Sequence, residues 1–342
     1  MSYTVKDPPE GIVAVTYRCN ARCYMCNIWK HPSDPKDEIK ADDLVSLPGD
    51  KKKMRSLNIT GGEPFIRTDL GDIISVLRPK TKRLVISTNG YFTDRIVKIA
   101  EEFPDIGIRV SLEGLPAVSD KLRGLLNGFD HGLRTLLKLH EMGFKDIGFG
   151  ITVSDLNHKD MLELYTLAAA TGWEFATAVL HNSFYFHKFD NKIEYQNEVA
   201  KSFEILINKL LKTHRVKNWY RAFFNYGIIN RIYGNPRLLP CGAGTDLFYV
   251  DPYGNVRPCN AMDFVIGNIK EETFDKIWRS EKAKEMRERV RSCTMNCWMI
   301  GSASPAIRKD LWRVTKWVVK AKFNSLLGKE IKYEDMEKWW KK

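Results

Sequence analysis

Six short apolar runs, at residues 12–17, 56–60, 84–88, 108–112, 147–153 and 174–180, alternate with amphipathic stretches at 70–77, 95–103, 133–142 and 160–171. Runs of five to seven residues rich in Val, Ile and Thr read as buried strands, and apolar spacings of three and four read as helices. A strand, a helix and a further strand in this order require right-handed crossovers and so a parallel sheet. The polar punctuation falls where the strands end: Gly61-Gly62-Glu63-Pro64, Asn89-Gly90 and Glu113-Gly114. Parallel sheets and barrels build their active sites at that carboxyl edge.

The pattern changes further on. Residues 192–214 read as one long helix. Asp251-Pro252-Tyr253-Gly254 between 248–250 and 255–257 is a hairpin turn, and 272–291 is a helical stretch. The chain therefore divides into 1–235, 236–300 and a tail, 301–342. In the tail, Lys309, Arg313, Lys316 and Lys320 form one stripe opposite Ile307, Leu311, Val314 and Val318, flanked by Trp312 and Trp317. A basic amphipathic helix of this kind suits either a membrane interface or packing on its own domain. The excess of 54 Lys and Arg over 42 Asp and Glu favours anionic partners. No uncharged apolar stretch of about 18 residues exists to span a membrane, and no cleavable signal peptide opens the chain.

Seven cysteines fall into two sets: Cys19, Cys23 and Cys26 within eight residues, and Cys241, Cys259, Cys293 and Cys297 in the last third. Three thiolates hold a [4Fe–4S] cluster with one iron open, and four close a cluster completely. An odd count without a signal peptide argues against a disulfide framework and for a reducing cytoplasm. Structural zinc is the rival for the set of four. Zinc pairs usually enclose about two residues, whereas the gaps here are seventeen and three.

Cys19-x₃-Cys23-x₂-Cys26 after the first strand, with Gly61-Gly62-Glu63-Pro64 after the second, resembles the radical S-adenosylmethionine (SAM) superfamily. The resemblance covers about residues 10 to 300. It implies an α/β fold, a partial (β/α)₆ TIM-like barrel, whose first cluster binds SAM and cleaves it to a 5′-deoxyadenosyl radical. By motif, Gly61, Gly62 and Glu63 would receive the methionine amino group. Ser87, Asn89, Ser111 and Glu113 at strand ends would meet the ribose and the methionyl group. Asp120-Lys121-Leu122-Arg123-Gly124 would bring Arg123 to the SAM carboxylate, and Thr152 and Asn157 would line the adenine. Met25 stands where the family commonly has an aromatic residue over the adenine, and Glu113 stands where it commonly has Asp.

The downstream cysteines, with Gly254 and Gly267-Asn268-Ile269 between them, are similar to the SPASM/twitch extension. Four cysteines suffice for one fully ligated auxiliary [4Fe–4S] cluster, as in the shorter twitch type. A sealed cluster suits electron transfer. The expected reaction is therefore oxidation or rearrangement of a small molecule, sugar or lipid headgroup. SAM is the cosubstrate and a flavodoxin or ferredoxin the electron donor. The loop after the sixth strand carries His181, Tyr185 and His187; one of them could take a proton during oxidation, or the loop packs beneath the second domain. Two further readings stand: a peptide-modifying SPASM maturase, and a zinc-containing nucleic-acid-binding protein, which lacks a groove-reading motif. The expected location is the cytoplasm or, through the tail, the membrane periphery.

Overall fold

The computed structural model describes residues 5–341; residues 1–4 and 342, at the outer limits of the first and last divisions, lie outside them. Strands β1 (Glu10–Ala14), β2 (Ser56–Thr60), β3 (Leu84–Thr88), β4 (Gly107–Ser111), β5 (Ile147–Val153) and β6 (Glu174–Val179) occupy the six apolar runs. They pair in parallel, in sequence order, as a partial (β/α)₆ barrel. Strands β7 (Leu247–Val250), β8 (Asn255–Arg257) and β9 (Gly267–Asn268) complete one sheet of order β6-β5-β4-β3-β2-β1-β7-β8-β9. β7 lies parallel to β1, with Glu10 opposite Leu247, and the β7–β8 hairpin is antiparallel. The predicted hairpin thus extends the barrel sheet instead of forming a sheet of its own.

Period-two alternation separates the two faces. On β2, Leu57 and Ile59 are fully buried against the helices, while Ser56, Asn58 and Thr60 keep partial exposure on the other face. The helices Leu70–Leu77 and Asp160–Thr171 occupy the amphipathic stretches read from the sequence.

Two helical expectations change. Residues 272–291 form two helices, Phe274–Arg279 and Glu281–Arg291, because Ser280 is extended and its hydroxyl caps Ala283 N–H. The long helix is shorter, Gln196–Lys212, and a second one, Val216–Ile232, follows it. That second helix is buried on most of its surface, so no amphipathic stripe marked it. Its Gly227 lies under the Trp298 indole, which a Cβ there would meet at 2.1 Å.

The tail also differs. It holds three helices, Ile300–Lys309, Leu311–Leu326 and Tyr333–Lys341, which share the hydrophobic core of the rest of the chain. The stripe of Ile307, Leu311, Val314 and Val318 is not one face. Leu311 is exposed, while Val314, Trp317, Val318 and Ala321 are buried. Trp317 stacks on Tyr226 with centroids 5.5 Å apart, and Trp340 meets Phe223 at 5.1 Å. The predicted lysine stripe is likewise split, since Lys309 ends the preceding helix and pairs with Asp246 at 2.6 Å. Among the described residues no helix is long and apolar enough to cross a membrane.

Candidate iron–sulfur and cofactor site

The chain beyond β1 is fastened on two sides before it reaches Cys19. On one side it pairs with the Gly-Gly-Glu turn: Val15 N–H donates to Thr60 O, Gly62 N–H to Thr16 O and Glu63 N–H to Arg18 O, at 2.7–2.9 Å. A Cβ on Gly61 would lie 2.4 Å from Thr16 O, and one on Gly62 would lie 2.2 Å from Arg18 O. Both positions therefore exclude any side chain. Gly61 also has φ +153°, a conformation open to glycine.

On the other side sits Glu38, 2% exposed. It accepts from Thr16 Oγ1 (2.5 Å), Ser33 Oγ (2.6 Å), both arms of Arg18 (2.8 and 3.0 Å) and Arg67 Nη1 (3.2 Å). Burial alone would raise its carboxyl, but the hydrogen bonds from Arg18, Ser33 and Thr16 outweigh burial and hold it below the usual range. No sequence signal marked Glu38, which lies in an unpatterned polar loop.

The three-cysteine loop itself docks on the helix Pro116–Arg123. Arg22 N–H donates to Arg123 O at 2.9 Å and Tyr24 N–H to Leu122 O at 2.7 Å. Two sulfurs accept backbone N–H groups, Cys19 from Ala21 at 3.4 Å and Cys26 from Ile28 at 3.5 Å. Burial pushes the Cys19 and Cys26 thiols up to about 12 and raises Cys23 too. Arg123 faces this group. Burial works against its charge, but Cys23, Glu113, Cys19 and Glu63 outweigh that and keep the guanidinium protonated. Its Nη1 donates to Glu113 at 3.0 Å and its Nε has no partner.

The SAM-side residues gather at the carboxyl edge of the sheet, though several are committed to one another. Glu63 is fully buried and accepts from Phe65 N–H (3.1 Å), Thr88 Oγ1 (2.8 Å) and Asn89 N–H (2.7 Å). The expected open acceptor for an ammonium is thus a carboxylate already holding three internal donors. Burial raises its carboxyl and that of Glu113. Glu113 also accepts from Thr152 N–H at 2.6 Å.

Asn157, expected beside the adenine, brackets the ends of β4 and β5. Its amide donates to Glu113 O and Thr152 O and accepts from Ser154 N–H. Ser87 exchanges hydrogen bonds with Asn58. Asn89 Nδ2 donates to Asn20 Oδ1 at 2.7 Å, leaving Asn20 Nδ2 buried without a partner. Ser111 remains half-buried at the end of β4 and Met25 is buried.

The segment after β6 is a strap between the two cysteine sets. Asn27 N–H donates to Phe186 O (2.8 Å) and Asn191 Nδ2 to Met25 O (3.1 Å) on the first side. On the second, Tyr185 N–H and Ser183 Oγ both donate to Asn260 O, at 3.1 and 2.7 Å. Inside the strap, Tyr185 Oη donates to Gly61 O at 2.5 Å and meets Thr60 Oγ1 at 3.2 Å. Burial raises its phenol far above its ordinary value. Tyr185, one of the three residues expected to take a proton, is thus a buried tie whose hydroxyl is committed to Gly61 O. His181 is held neutral, its pKa lowered to about 4 by burial, with Nδ1 3.0 Å from Val179 O and Nε2 unpartnered. His187 has φ +48° and stacks on His31 at 4.6 Å.

Cys241, Cys259, Cys293 and Cys297 line one cavity of about 210 Å³ together with Asn58, Thr60 and Tyr185. The cavity therefore reaches the interior face of β2. Burial pushes Cys259 up to about 12 and raises Cys297; Arg231 lies close enough to Cys297 to oppose that rise. Arg231 and Arg237, the second of which also lines the cavity, carried no sequence signal. All seven cysteines are free thiols. Among the described residues no three His, Cys, Asp or Glu side chains gather as ligands of a single ion. Each thiolate of a four-iron cluster takes a different iron, so its sulfurs stand wider apart than around one zinc. Free thiols in sets of three and four are the donors that iron–sulfur clusters take.

Comparison with known proteins agrees with this architecture. The profile of the radical SAM superfamily matches residues 13–168, and that of the SPASM iron–sulfur cluster-binding domain matches 241–298. Fe-coproporphyrin III synthase of Methanosarcina barkeri is 30% identical over 172 residues, covering 49% of this chain and 42% of that protein. Mycofactocin maturase MftC of Mycolicibacterium smegmatis is 27% identical over 288 residues, 80% of this chain and 71% of that one. Among solved structures, Streptococcus suis SuiB superposes with TM-score 0.64 at 17% identity, over 84% of this chain and 68% of that one. SuiB has also been solved with S-adenosylmethionine and with its precursor peptide SuiA.

Proposed function

We propose, from the premise that this chain belongs to the radical SAM superfamily and carries a SPASM iron–sulfur domain, that it is a two-cluster SAM enzyme oxidising or rearranging an organic substrate. Cys19, Cys23 and Cys26 would hold the SAM-binding cluster, and Cys241, Cys259, Cys293 and Cys297 the auxiliary one. Together these groups supply one-electron cleavage of SAM and an acceptor for the electron that the substrate releases.

The chain's own residues set the geometry. Glu38 and the Gly-Gly-Glu turn hold the strand that delivers Cys19. Arg123 places a positive charge against the three thiolates, and Glu113 fixes its orientation. The strap links the two cysteine sets through the buried Tyr185. The observation that carries this reading is the common cavity: the four downstream cysteines open onto Thr60 and Tyr185, next to the turn that would receive SAM.

The substrate has two readings. A small molecule, sugar or lipid headgroup follows from reading the four-cysteine set as one sealed, electron-accepting cluster. A peptide is favoured by the match to a maturase over 80% of the chain and by the fold shared with SuiB. Anaerobic reconstitution with iron and sulfide counting, followed by assay for 5′-deoxyadenosine, tests the class. Roughly eight irons per chain with SAM cleavage supports it, whereas stoichiometric zinc with no cleavage refutes it.

A further inference from the structure

The helix Leu311–Leu326 is buried along Val314, Trp317, Val318 and Ala321. At 100° per residue the opposite face carries Trp312, Val319, Phe323, Leu326 and, just beyond the last turn, Leu327. These five are 57–72% exposed. Single exposed apolar residues are ordinary, but five on one face of one helix form a patch that a partner normally covers. Of the two opposed stripes read from the sequence, neither is this face.

Charge identifies the partner. Lys316 and Lys320 stand beside the patch, both exposed, and neither forms an ion pair with a carboxylate among the described residues. No Asp or Glu occurs from residue 311 through 329. Lys316 Nζ lies 5.0 Å from the Trp312 ring centroid and Lys320 Nζ 5.6 Å from that of Trp339, so each ammonium sits beside an aromatic ring. A Trp, Phe and Leu face bordered by free lysines is the composition of a helix lying in a bilayer interface, rings at headgroup depth and ammoniums on lipid phosphates. A protein partner would need carboxylates facing the lysines, whereas an anionic bilayer supplies both apolar depth and negative charge.

We infer that this face docks the protein onto the surface of an anionic lipid bilayer. Docking depends on the helix alone and not on the reaction, so its failure would leave the two-cluster reading intact. The helix does not enter as a span: it is short, and its far side is committed to the core.

The experiment is flotation of the full chain, purified anaerobically, with vesicles of phosphatidylglycerol mixed with phosphatidylcholine, against phosphatidylcholine alone. The protein is expected to float with the anionic vesicles and to be released by high salt. Lys316→Gln and Lys320→Gln should each weaken partitioning about five-fold. Phe323→Glu with Leu326→Glu should abolish flotation while deoxyadenosine formation in detergent-free buffer stays unchanged. Absence of flotation, or flotation unaffected by the double substitution, overturns the proposal. So does a dimer seen by light scattering that the same double substitution splits, because the occupant would then be a second copy of the chain.

Discussion

The Tyr185 hydroxyl donates to the Gly61 carbonyl at 2.5 Å, joining the strap after the sixth strand to the turn beside the three-cysteine loop. The same tyrosine lines the cavity of the four downstream cysteines. One side chain therefore touches both halves of the site. Tyr185→Phe keeps the ring and its packing but strands the carbonyl. A stability loss of about 1–2 kcal/mol is expected, measured by denaturant unfolding. The ratio of product to 5′-deoxyadenosine should fall, and an unchanged ratio would remove Tyr185 from any role in coupling.

The two cysteine sets are expected to separate in mutants. Cys23→Ala should abolish SAM cleavage, because an open cluster needs all three thiolates. Cys293→Ala should retain part of the cleavage yet form no product. Chromatography of 5′-deoxyadenosine and product from the same reactions decides this; parallel loss in both variants would exclude the auxiliary set as electron acceptor.

Gly62→Ala forces a methyl group within 2.2 Å of Arg18 O. That backbone leads straight to Cys19, so relief must displace the cluster loop. A cost of about 1–3 kcal/mol is expected, with lowered iron content after reconstitution. Wild-type stability in this variant would mean that the strand pairing at 16–18 is looser than described.

Glu38→Ala leaves Arg67, whose side chain is 4% exposed, without this carboxylate. Breaking a buried ion pair from one side typically costs about 3–5 kcal/mol. Arg67 keeps Asp69 at 2.6 Å, which places the expectation at the lower end. Thermal or urea unfolding checks it, and a change below about 0.5 kcal/mol would show that Glu38 is not a clamp.

His181 gives a pH signature. Its pKa is lowered to about 4 in the fold, against about 6.5 when unfolded. Between those values the unfolded chain binds a proton that the folded chain does not, so stability falls as pH drops from about 6.5 toward 4 and is full above 6.5. His181→Gln should flatten that part of the profile. Denaturant midpoints of both proteins across this interval give the test, and parallel profiles would place the imidazole in water.

The elements legible in the sequence were those governed by local rules. Strands β1 to β6 followed from period and length, and the sets Cys19–Cys26 and Cys241–Cys297 from thiol spacing, because neither depends on what packs nearby. Glu63, Asn157 and Tyr185 were found as residues, but the internal hydrogen bonds that hold them were not. A side chain's hydrogen-bond partner can lie far along the chain, as Thr60 lies 125 positions from Tyr185, and nothing local encodes it.

Tertiary structure alone decided the rest. It drew Glu38 onto Thr16 and Arg18 ahead of the first cysteine, laid β7 against β1, and turned Val314 and Val318 inward while leaving Trp312 and Phe323 in water. An apolar pattern states that a helix has faces to bury. Only the packing of Gln196–Lys212 and Val216–Ile232 beside it determines which face is covered, because burial is a property of the packed elements and not of one sequence.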